Sequence, residues 1–336
     1  MELQLTPVAS LTADQVRDAL LAATAAPSLY NSQPWRFRCT PDAIELHADF
    51  SRALPAADPD DRELMLACGA ALLNLRLMVR VAGVRPDVRL LPDHNRRGLL
   101  ATVRPAGPHP ATPVDRVLAA AIHRRRTNRR PFLPTPVSPV LRSRLRQAAE
   151  AERGWLAVLE RPQLAPLQAL VRSAHEAQRA DPAFVAEWRQ WTGRDADSRE
   201  GVPAHTSGPL PEPQDEWVLR DYSGGTAPTR VVGKDFEPEP LICVLGSFRD
   251  STFAQLQAGL AMQRVLLTAT DAGLAASFLS QLVEVPQARK ELRSLIGGGL
   301  WPQAVLRIGY GSPVPASPRR SLADVVICDA AAERSW

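Results

Sequence analysis

Two stretches share one design: residues 62–83, RELMLACGAALLNLRLMVRVAG, and residues 252–273, TFAQLQAGLAMQRVLLTATDAG. Each is apolar on nearly every side and ends in a glycine suited to a left-handed helix cap, so each predicts a central, buried helix. A shift of 190 residues aligns Leu66 with Leu256, Gly69 with Gly259, Ala71 with Ala261, Leu77 with Leu267, Ala82 with Ala272 and Gly83 with Gly273. The aligned glycines indicate an internal repeat, because glycine is rarer than alanine or leucine and serves close helix packing.

A second, fainter correspondence appears at a shift of 120 residues. Helix-like residues 16–25 precede Trp35 and a strand-like run, and helix-like residues 140–151 precede Trp155 and the strand-like run 156–159. The chain therefore predicts two copies of one α+β unit, residues 1–110 and 112–336. A proline-rich linker at 105–113 joins them.

The connection between the first helix and strand reads APSLYNSQPWRF at residues 26–37. Two prolines stiffen it, so the polar side chains between them stand at defined places and suit a polar, planar ligand. A well-capped helix-to-strand connection is the alternative. At the positions of Ser28, Asn31 and Gln33, the shift of 120 gives Ala148, Ala151 and Arg153 in the second copy.

The second copy opens with a basic cluster, HRRRTNRRPF at residues 123–132, which the first copy lacks. Arginine forks and a hydroxyl match phosphate oxygens, so the cluster predicts a phosphate site. The alternative is a solvated helix end whose cations offset the helix dipole. A further basic pair, Arg319 and Arg320, follows the predicted buried strand 304–308.

Residues 181–240 form an insertion in the second copy, rich in proline and glycine. A segment this long inside a domain is usually functional or disordered. Its aromatic residues favour a lid over a site, and an arm that contacts another subunit is the alternative. These aromatics are Trp188, Trp191, Trp217, Tyr222 and Phe236.

Composition limits the protein class. The 336 residues are 45% apolar, which allows a large core. The N-terminus lacks a signal sequence and no apolar run reaches membrane-spanning length, so we expect a soluble, cytoplasmic protein without a membrane partner. The four cysteines lie far apart and predict four reduced core thiols, with neither disulfides nor a metal site. The net charge is +4, but the basic residues are scattered, so we expect no nucleic-acid partner.

The usual catalytic signatures are missing. The sequence contains no HExxH, GxSxG or GxxxxGK[ST] motif and no GxGxxG after a strand. We therefore predict no catalytic side chains, and an enzyme of this sequence would rely on a cofactor.

Three segments together resemble the FMN-dependent nitroreductase family. PSLYNSQPW at 27–35 resembles its PSxxNxQPW loop, RRTNR at 125–129 resembles its RRSxR phosphate motif, and the region of Arg319 resembles its closing basic element. In that family two identical subunits share each flavin and contribute different motifs to it. The order here is that of a fused dimer and resembles the Acg-type branch, in which one chain mimics the dimer and a lid covers the flavin.

The resemblance implies a nitroreductase-like α+β fold, with antiparallel or mixed sheets around the central helices, one FMN per chain and a monomer. It also implies where FMN binds. The phosphate and ribityl end would lie at Arg125, Thr127, Arg129 and Arg319, with Arg126 and Arg320 as further candidates because the choice among neighbouring arginines stays open. Ser28, Asn31 and Gln33 would contribute from the other half. The strand-like run 275–281 would lie beside the isoalloxazine ring, with backbone groups of Leu279, Ser280 and Gln281 near N5.

Two functions remain open at this point. The first is an oxidoreductase that uses NAD(P)H to reduce FMN and passes electrons to a nitro- or quinone-type acceptor. The second is a lid-closed flavin-binding protein that stores, sequesters or senses FMN without turnover.

Overall fold

The structure is a computed structural model that describes residues 4–227, 230, 237 and 240–328. The first half contains α1 (Ala13–Thr24), β1 (Trp35–Cys39), β2 (Ile44–Ala48), α2 (Arg62–Val81), β3 (Val84–Leu90) and β4 (Leu99–Pro108). The second half contains α3 (Pro113–Ile122), α4 (Pro139–Glu150), β5 (Trp155–Val158), α5 (Arg161–Ala180), α6 (Pro182–Trp191), β6 (Leu241–Ser247), α7 (Thr252–Asp271), β7 (Ala275–Phe278), α8 (Gln281–Glu284), α9 (Pro286–Leu295), β8 (Trp301–Gly309) and α10 (Leu322–Val325).

Each half contributes one four-stranded sheet, and the two sheets have matching strand orders. The orders are β1-β2-β4-β3 and β5-β6-β8-β7, with every neighbouring pair antiparallel. A bulge interrupts the pairing of the two central strands in both sheets, between Leu46 and His47 and between Leu245 and Gly246. The predicted α+β class is confirmed, and these sheets are antiparallel rather than mixed.

The two predicted central helices are confirmed as α2 and α7, which pack against each other in one buried core. They cross at Gly69 and Gly259, where a Cβ on either glycine would overlap backbone of the other helix. Gly83 and Gly273 follow the helix ends with φ of 82° and 72°, as the predicted left-handed caps require. The helix α2 is long and apolar enough to cross a membrane, but 78% of that stretch is buried inside the protein, as in a core helix.

The fainter repeat needs a correction in the loop before β1. Both tryptophans begin a strand as predicted, but α1 ends at Thr24 whereas α4 ends at Glu150. Ten residues, 25–34, therefore connect α1 to β1, and only four, 151–154, connect α4 to β5. Ala148 lies within α4 and is not the counterpart of Ser28. A constant shift aligned the strands but not the helices, and the connection between α4 and β5 is too short to contain a loop of this kind.

Other boundaries also differ from the predictions. The strand β4 continues to Pro108, so the linker between the halves is residues 109–112 rather than 105–113. The strand-like run 275–281 stops at Phe278, and Gln281 begins α8. All four cysteines are free, but Cys328 is exposed and so is not a core thiol.

Candidate functional site

A cavity of about 250 Å³ lies where the two halves meet. Its walls come from the loop after α1, the first turns of α2, the basic segment after α3, the end of β7 and residues 315–319. The predicted site residues that line it are Ser28, Asn31, Arg125, Arg126, Thr127, Arg129, Ser280 and Arg319. The structure thus brings together segments that are almost 300 positions apart in the sequence.

Four predicted site residues do not line this cavity: Gln33, Leu279, Gln281 and Arg320. The Leu279 backbone N–H donates to Val305 O at 3.0 Å, so the sheet already uses one of the three backbone donors that were expected near a flavin. Leu279 and Gln281 line a neighbouring cavity of about 30 Å³ instead.

The loop after α1 has an unusual backbone for its residue types. Tyr30, Asn31 and Gln33 adopt φ of 49°, 58° and 53°, in the left-handed region that costs most residues about 1 kcal/mol or more. The backbone N–H of Gln33 donates to Ser28 Oγ at 2.9 Å. The side-chain oxygen of Gln33 accepts from the backbone N–H of Arg320 at 2.9 Å. Gln33 and Arg320 therefore stabilise the loop without lining the cavity, while Ser28 and Asn31 line it.

Arg125 is the most unusual cation of the site. It is buried, and its Nε and Nη1 atoms have no hydrogen-bond partner, while Nη2 lies 3.4 Å from Ala25 O. Burial, with the charges of Arg319, Arg126 and Arg129, lowers the pKa of Arg125 to about 9. A buried guanidinium with two free donors is costly unless an anion compensates it.

Within the part of the chain that the structure describes, the three neighbouring arginines contact neutral groups. Arg319 donates to Thr24 O at 3.0 Å and Ala26 O at 3.2 Å, and burial lowers its pKa to about 10. Arg129 donates to Thr206 O at 3.1 Å, with its guanidinium 4.3 Å from the centre of the Tyr222 ring. Within the described residues, no carboxylate pairs with any of the four arginines, so this part of the cavity is suited to an anion.

Another part of the wall carries polar atoms without partners. They are Glu63 Oε2, the Tyr30 hydroxyl oxygen and Asn31 Oδ1. Burial raises the pKa of Glu63 to about 8, and the carboxylates of Glu284 and Asp58 add to this effect. Burial also raises the pKa of Tyr30 well above its usual value.

The sequence analysis missed Glu63 and Tyr30 as site residues. Glu63 reads as an ordinary acidic residue in the first turn of an apolar helix, and Tyr30 occupies a variable position of the loop motif. Nothing in the local sequence shows that distant residues bury both side chains.

The insertion packs against the loop after α1. Trp188 of α6 packs edge-on against Tyr30 with ring centres 5.2 Å apart. The ring centres of Trp188 and Tyr222 are 4.6 Å apart. Val202 and Tyr222 line the cavity, and Asn31 Nδ2 donates to Gly201 O at 3.0 Å. The insertion thus forms part of the cavity wall.

Not every aromatic residue of the insertion belongs to this wall. Trp217 packs in a different cluster, with Leu159, Leu167 and Ile242. Trp191 packs at the edge of the cluster that contains Tyr30. Phe236 lies outside the described residues.

A buried ion pair fastens the insertion to α8. The Arg220 guanidinium lies 2.5 Å from Glu284 Oε2 and donates to Ser280 Oγ at 2.7 Å. Both charged side chains are almost fully buried. Because Ser280 also lines the cavity, this contact joins the insertion to the site itself.

The chain is similar to mycobacterial proteins along nearly its whole length, and no protein-family model matches it. The "Putative NAD(P)H nitroreductase Rv3131" of Mycobacterium tuberculosis is 36% identical over 325 residues, which cover 94% of this chain and 91% of the relative. The "Putative NAD(P)H nitroreductase acg" of the same organism is 32% identical over 331 residues, covering 95% and 97%.

Solved structures that resemble the chain match a smaller part of it. One is a Bacteroides fragilis nitroreductase with bound FMN, with 13% identity and a TM-score of 0.39, covering 63% of this chain and 98% of that one. Another is a Desulfitobacterium hafniense nitroreductase with bound FMN, with 12% identity and a TM-score of 0.40, covering 63% and 97%.

Proposed function

The chain belongs to the nitroreductase family, in the branch of the mycobacterial Acg protein, and on that premise we propose that it is an FMN-dependent NAD(P)H oxidoreductase. Its electron acceptor would be a nitro- or quinone-type compound. When bound, the flavin would supply the redox chemistry, accepting a hydride from the nicotinamide and passing electrons to the acceptor. The sequence has no recognisable catalytic side-chain motif, which agrees with a reaction whose redox chemistry comes from the flavin.

The observation that carries the proposal is the uncompensated Arg125. Its two nitrogen atoms without partners lie among three further arginines that donate to carbonyl oxygens and have no carboxylate partner in the described part of the chain. A phosphate monoester supplies the negative charge and the acceptor oxygens that such a cluster lacks. Arg125, Arg126, Arg129 and Arg319 would hold the phosphate of FMN, with Thr127 contributing its hydroxyl.

Polar atoms elsewhere in the cavity fit the ring system of FMN. Asn31 Oδ1 has no partner and can accept a hydrogen bond from a ring N–H. Ser28 accepts from the Gln33 amide through its oxygen and keeps its own hydroxyl proton to donate. The residues present therefore suit a ligand with a dianionic end and a polar, planar end.

The arrangement also supports one site per chain in a tandem pseudo-dimer. The two sheets share one strand order, and the central helices cross at equivalent glycines. Among the described residues, the ten-residue loop between a helix and a strand occurs only in the first half and the basic segment only in the second. Together they would form a single complete site. The protein would then work as a monomer, because one chain supplies both parts, and we place it in the cytoplasm. Size-exclusion chromatography with light scattering tests the monomer.

A flavin-binding protein without turnover is the second candidate. The insertion favours it, because Tyr222 and Val202 line the cavity and Arg220 fastens the segment through a buried ion pair. A wall held in this way could keep nicotinamide away from the ring.

Anaerobic stopped-flow reduction of the FMN-loaded protein separates the two functions. We expect the absorbance of bound FMN to bleach on mixing with NADH or NADPH, followed by reoxidation when a quinone or nitroaromatic acceptor is added. A bound flavin that neither nucleotide reduces would favour the storage function. A protein that fails to bind FMN would contradict both.

A further inference from the structure

We propose that Glu63 holds a proton on Oε2 inside the cavity and donates it to the ligand that is reduced there. This inference rests on the proposed function and assigns Glu63 as its proton donor. It begins from the position of the side chain, which lines the cavity and is only 12% exposed.

Glu63 is not needed to cap its helix, although it lies in the first turn of α2. The carboxylate of Asp58 caps the helix instead. Its Oδ1 accepts from the backbone N–H of Glu63 at 3.0 Å and its Oδ2 from that of Leu64 at 2.9 Å. The side chain of Glu63 is therefore free for another role at the cavity, which this residue lines.

The contacts of Glu63 satisfy only one of its oxygens. Arg62 Nη2 lies 3.2 Å from the Oε1 atom. That guanidinium also donates to Gln303 O and lies 3.5 Å from Val283 O, so its donors are shared. Oε2 is buried and has no partner. A buried carboxylate oxygen without a donor is unfavourable, whereas a protonated one becomes a donor itself.

The charged groups around Glu63 favour a proton on one of the buried carboxyl groups. Arg62 of α2, Asp58 before it, Glu284 of α8 and Arg220 of the insertion act on its carboxyl, and the hydroxyl of Tyr30 lies in the same environment. Three carboxyl groups thus face two guanidinium groups. Glu187 of α6 acts on Asp58 and Glu284 as well, so with every group ionised this buried place carries excess negative charge, and a proton on one carboxyl group reduces it.

The hydrogen bonds indicate which carboxyl carries that proton. Both oxygens of Asp58 accept from backbone amides. Both oxygens of Glu284 face Arg220, and its Oε2 also accepts from Gln178 Nε2 at 2.6 Å. Among these three side chains, Glu63 Oε2 is the oxygen that lacks a donor, so the proton belongs there. Burial raises the pKa of Glu63 to about 8, which agrees with this placement.

A proton at this place has a use in acceptor reduction. A quinone that has accepted a hydride carries a negative oxygen. The Oε2–H bond of Glu63 would break as an O–H bond forms on that oxygen, giving the hydroquinone and leaving Glu63 as a carboxylate. Solvent at the cavity would return the proton to Glu63. A nitro group needs a proton on oxygen at the same stage, and a positioned general acid typically contributes about 100-fold or more to such a step.

The test compares wild type, Glu63→Gln and a control, Glu176→Gln, which alters an exposed carboxyl on α5 away from the cavity. Infrared difference spectroscopy of the protein between pH 6 and 10 follows the protonated carboxyl directly. We expect a carboxylic acid band that disappears near pH 8 in wild type and in the control but is missing in Glu63→Gln. This signal does not depend on turnover.

The kinetic arm uses the FMN-loaded proteins and a quinone acceptor. We expect Glu63→Gln to bind FMN and to be reduced by NAD(P)H like wild type. Its rate constant for acceptor reduction should fall about 100-fold and lose the decline that wild type shows above pH 8. The control should follow wild type.

Two results would overturn the inference: no carboxyl band that titrates near pH 8, or a Glu63→Gln variant with an unchanged rate and pH profile. Failure of the proposed function looks different. In that case wild type would not bind FMN or its flavin would stay oxidised with NAD(P)H, while the infrared titration would still decide whether Glu63 holds a proton.

Discussion

Gly69 of α2 and Gly259 of α7 face each other where the two central helices cross, and the contact is reciprocal. A Cβ on Gly69 would overlap the carbonyl oxygen of Leu256, and a Cβ on Gly259 would overlap that of Leu66. Each glycine thus contacts the leucine three positions before the other glycine. The sequence repeat had already aligned the two glycines with each other and the two leucines with each other. Through this close crossing the two central helices share one core.

Substituting either glycine with alanine should destabilise the protein strongly. The added methyl group meets backbone atoms that cannot rotate away, so α2 and α7 must move apart. We expect a loss of about 1 to 3 kcal/mol or more in the free energy of unfolding, as measured by urea denaturation of the apo-protein. Gly299→Ala is the matched control, because no atom lies within 4 Å of its added Cβ, and it should change stability by less than about 0.5 kcal/mol.

Arg125→Met should have opposite effects on stability and on FMN binding. Removal of an uncompensated buried charge should stabilise the apo-protein by about 1 kcal/mol or more. Loss of charge-assisted hydrogen bonds should weaken FMN binding by about 1.5 to 3 kcal/mol. Urea denaturation of the apo-protein and fluorescence titration with FMN measure the two effects.

Arg124→Met provides the control for that pair of measurements. Arg124 is exposed, does not line the cavity and donates from its side chain to Ala120 O within its own segment. It should leave both quantities nearly unchanged. Equal FMN affinity in wild type and Arg125→Met would place the anion elsewhere.

Arg220→Ala should loosen the insertion. The substitution leaves Glu284 buried without its cation, and breaking a buried pair in this way costs about 3 to 5 kcal/mol. We expect faster hydrogen exchange in residues 182–222 and faster release of FMN. Arg194→Ala is the comparison, since Arg194 lies in the same insertion, is exposed, and its side chain donates to Gln190 O rather than to a buried carboxylate. Identical exchange in the two variants would show that the ion pair does not fasten the insertion.

Glu63→Gln should change how stability depends on pH. The pKa of Glu63 rises from an ordinary value of 4.5 in the unfolded chain to about 8 in the folded protein. Between these values the folded state binds the extra proton, so its stability falls as pH rises, by at most about 1.4 kcal/mol per pH unit. The glutamine variant lacks this loss. Its stability relative to wild type should therefore increase from pH 5 to pH 8 and level off above pH 8.

Urea denaturation of the apo-proteins at several pH values measures that difference. The levelling below pH 4.5 and above pH 8 is the part that a general change in packing would not produce. A constant difference between Glu63→Gln and wild type at every pH would mean that Glu63 has an ordinary pKa.

The central helices were predictable because their residues carry the signal locally. The apolar surface of α2 and its final Gly83 indicate a buried helix with a left-handed cap, whatever it packs against. Ser28, Asn31 and Arg125 could be picked out for a similar reason, since each belongs to a short polar motif between apolar elements. All three line the cavity.

What the sequence could not show depends on distant neighbours. Glu63 is distinctive because Glu284 and Arg220, more than 150 positions away, lie beside it in the fold. The backbone N–H of Leu279 does not face a ligand because it donates to Val305 O. The length difference between the loops at 25–34 and 151–154 was hidden because a single shift aligned the strands and misplaced the helices.

The amount of FMN that one chain binds tests the single shared site most directly. A site built from both halves predicts one FMN per chain, because in the described residues the loop of Ser28 and Asn31 occurs only in the first half and the arginine segment only in the second. Purified protein saturated with FMN, freed of excess ligand and then denatured gives the ratio from flavin absorbance and protein concentration. A ratio close to one is the predicted result. A ratio close to two, or no retained flavin at all, would contradict a single site built from both halves.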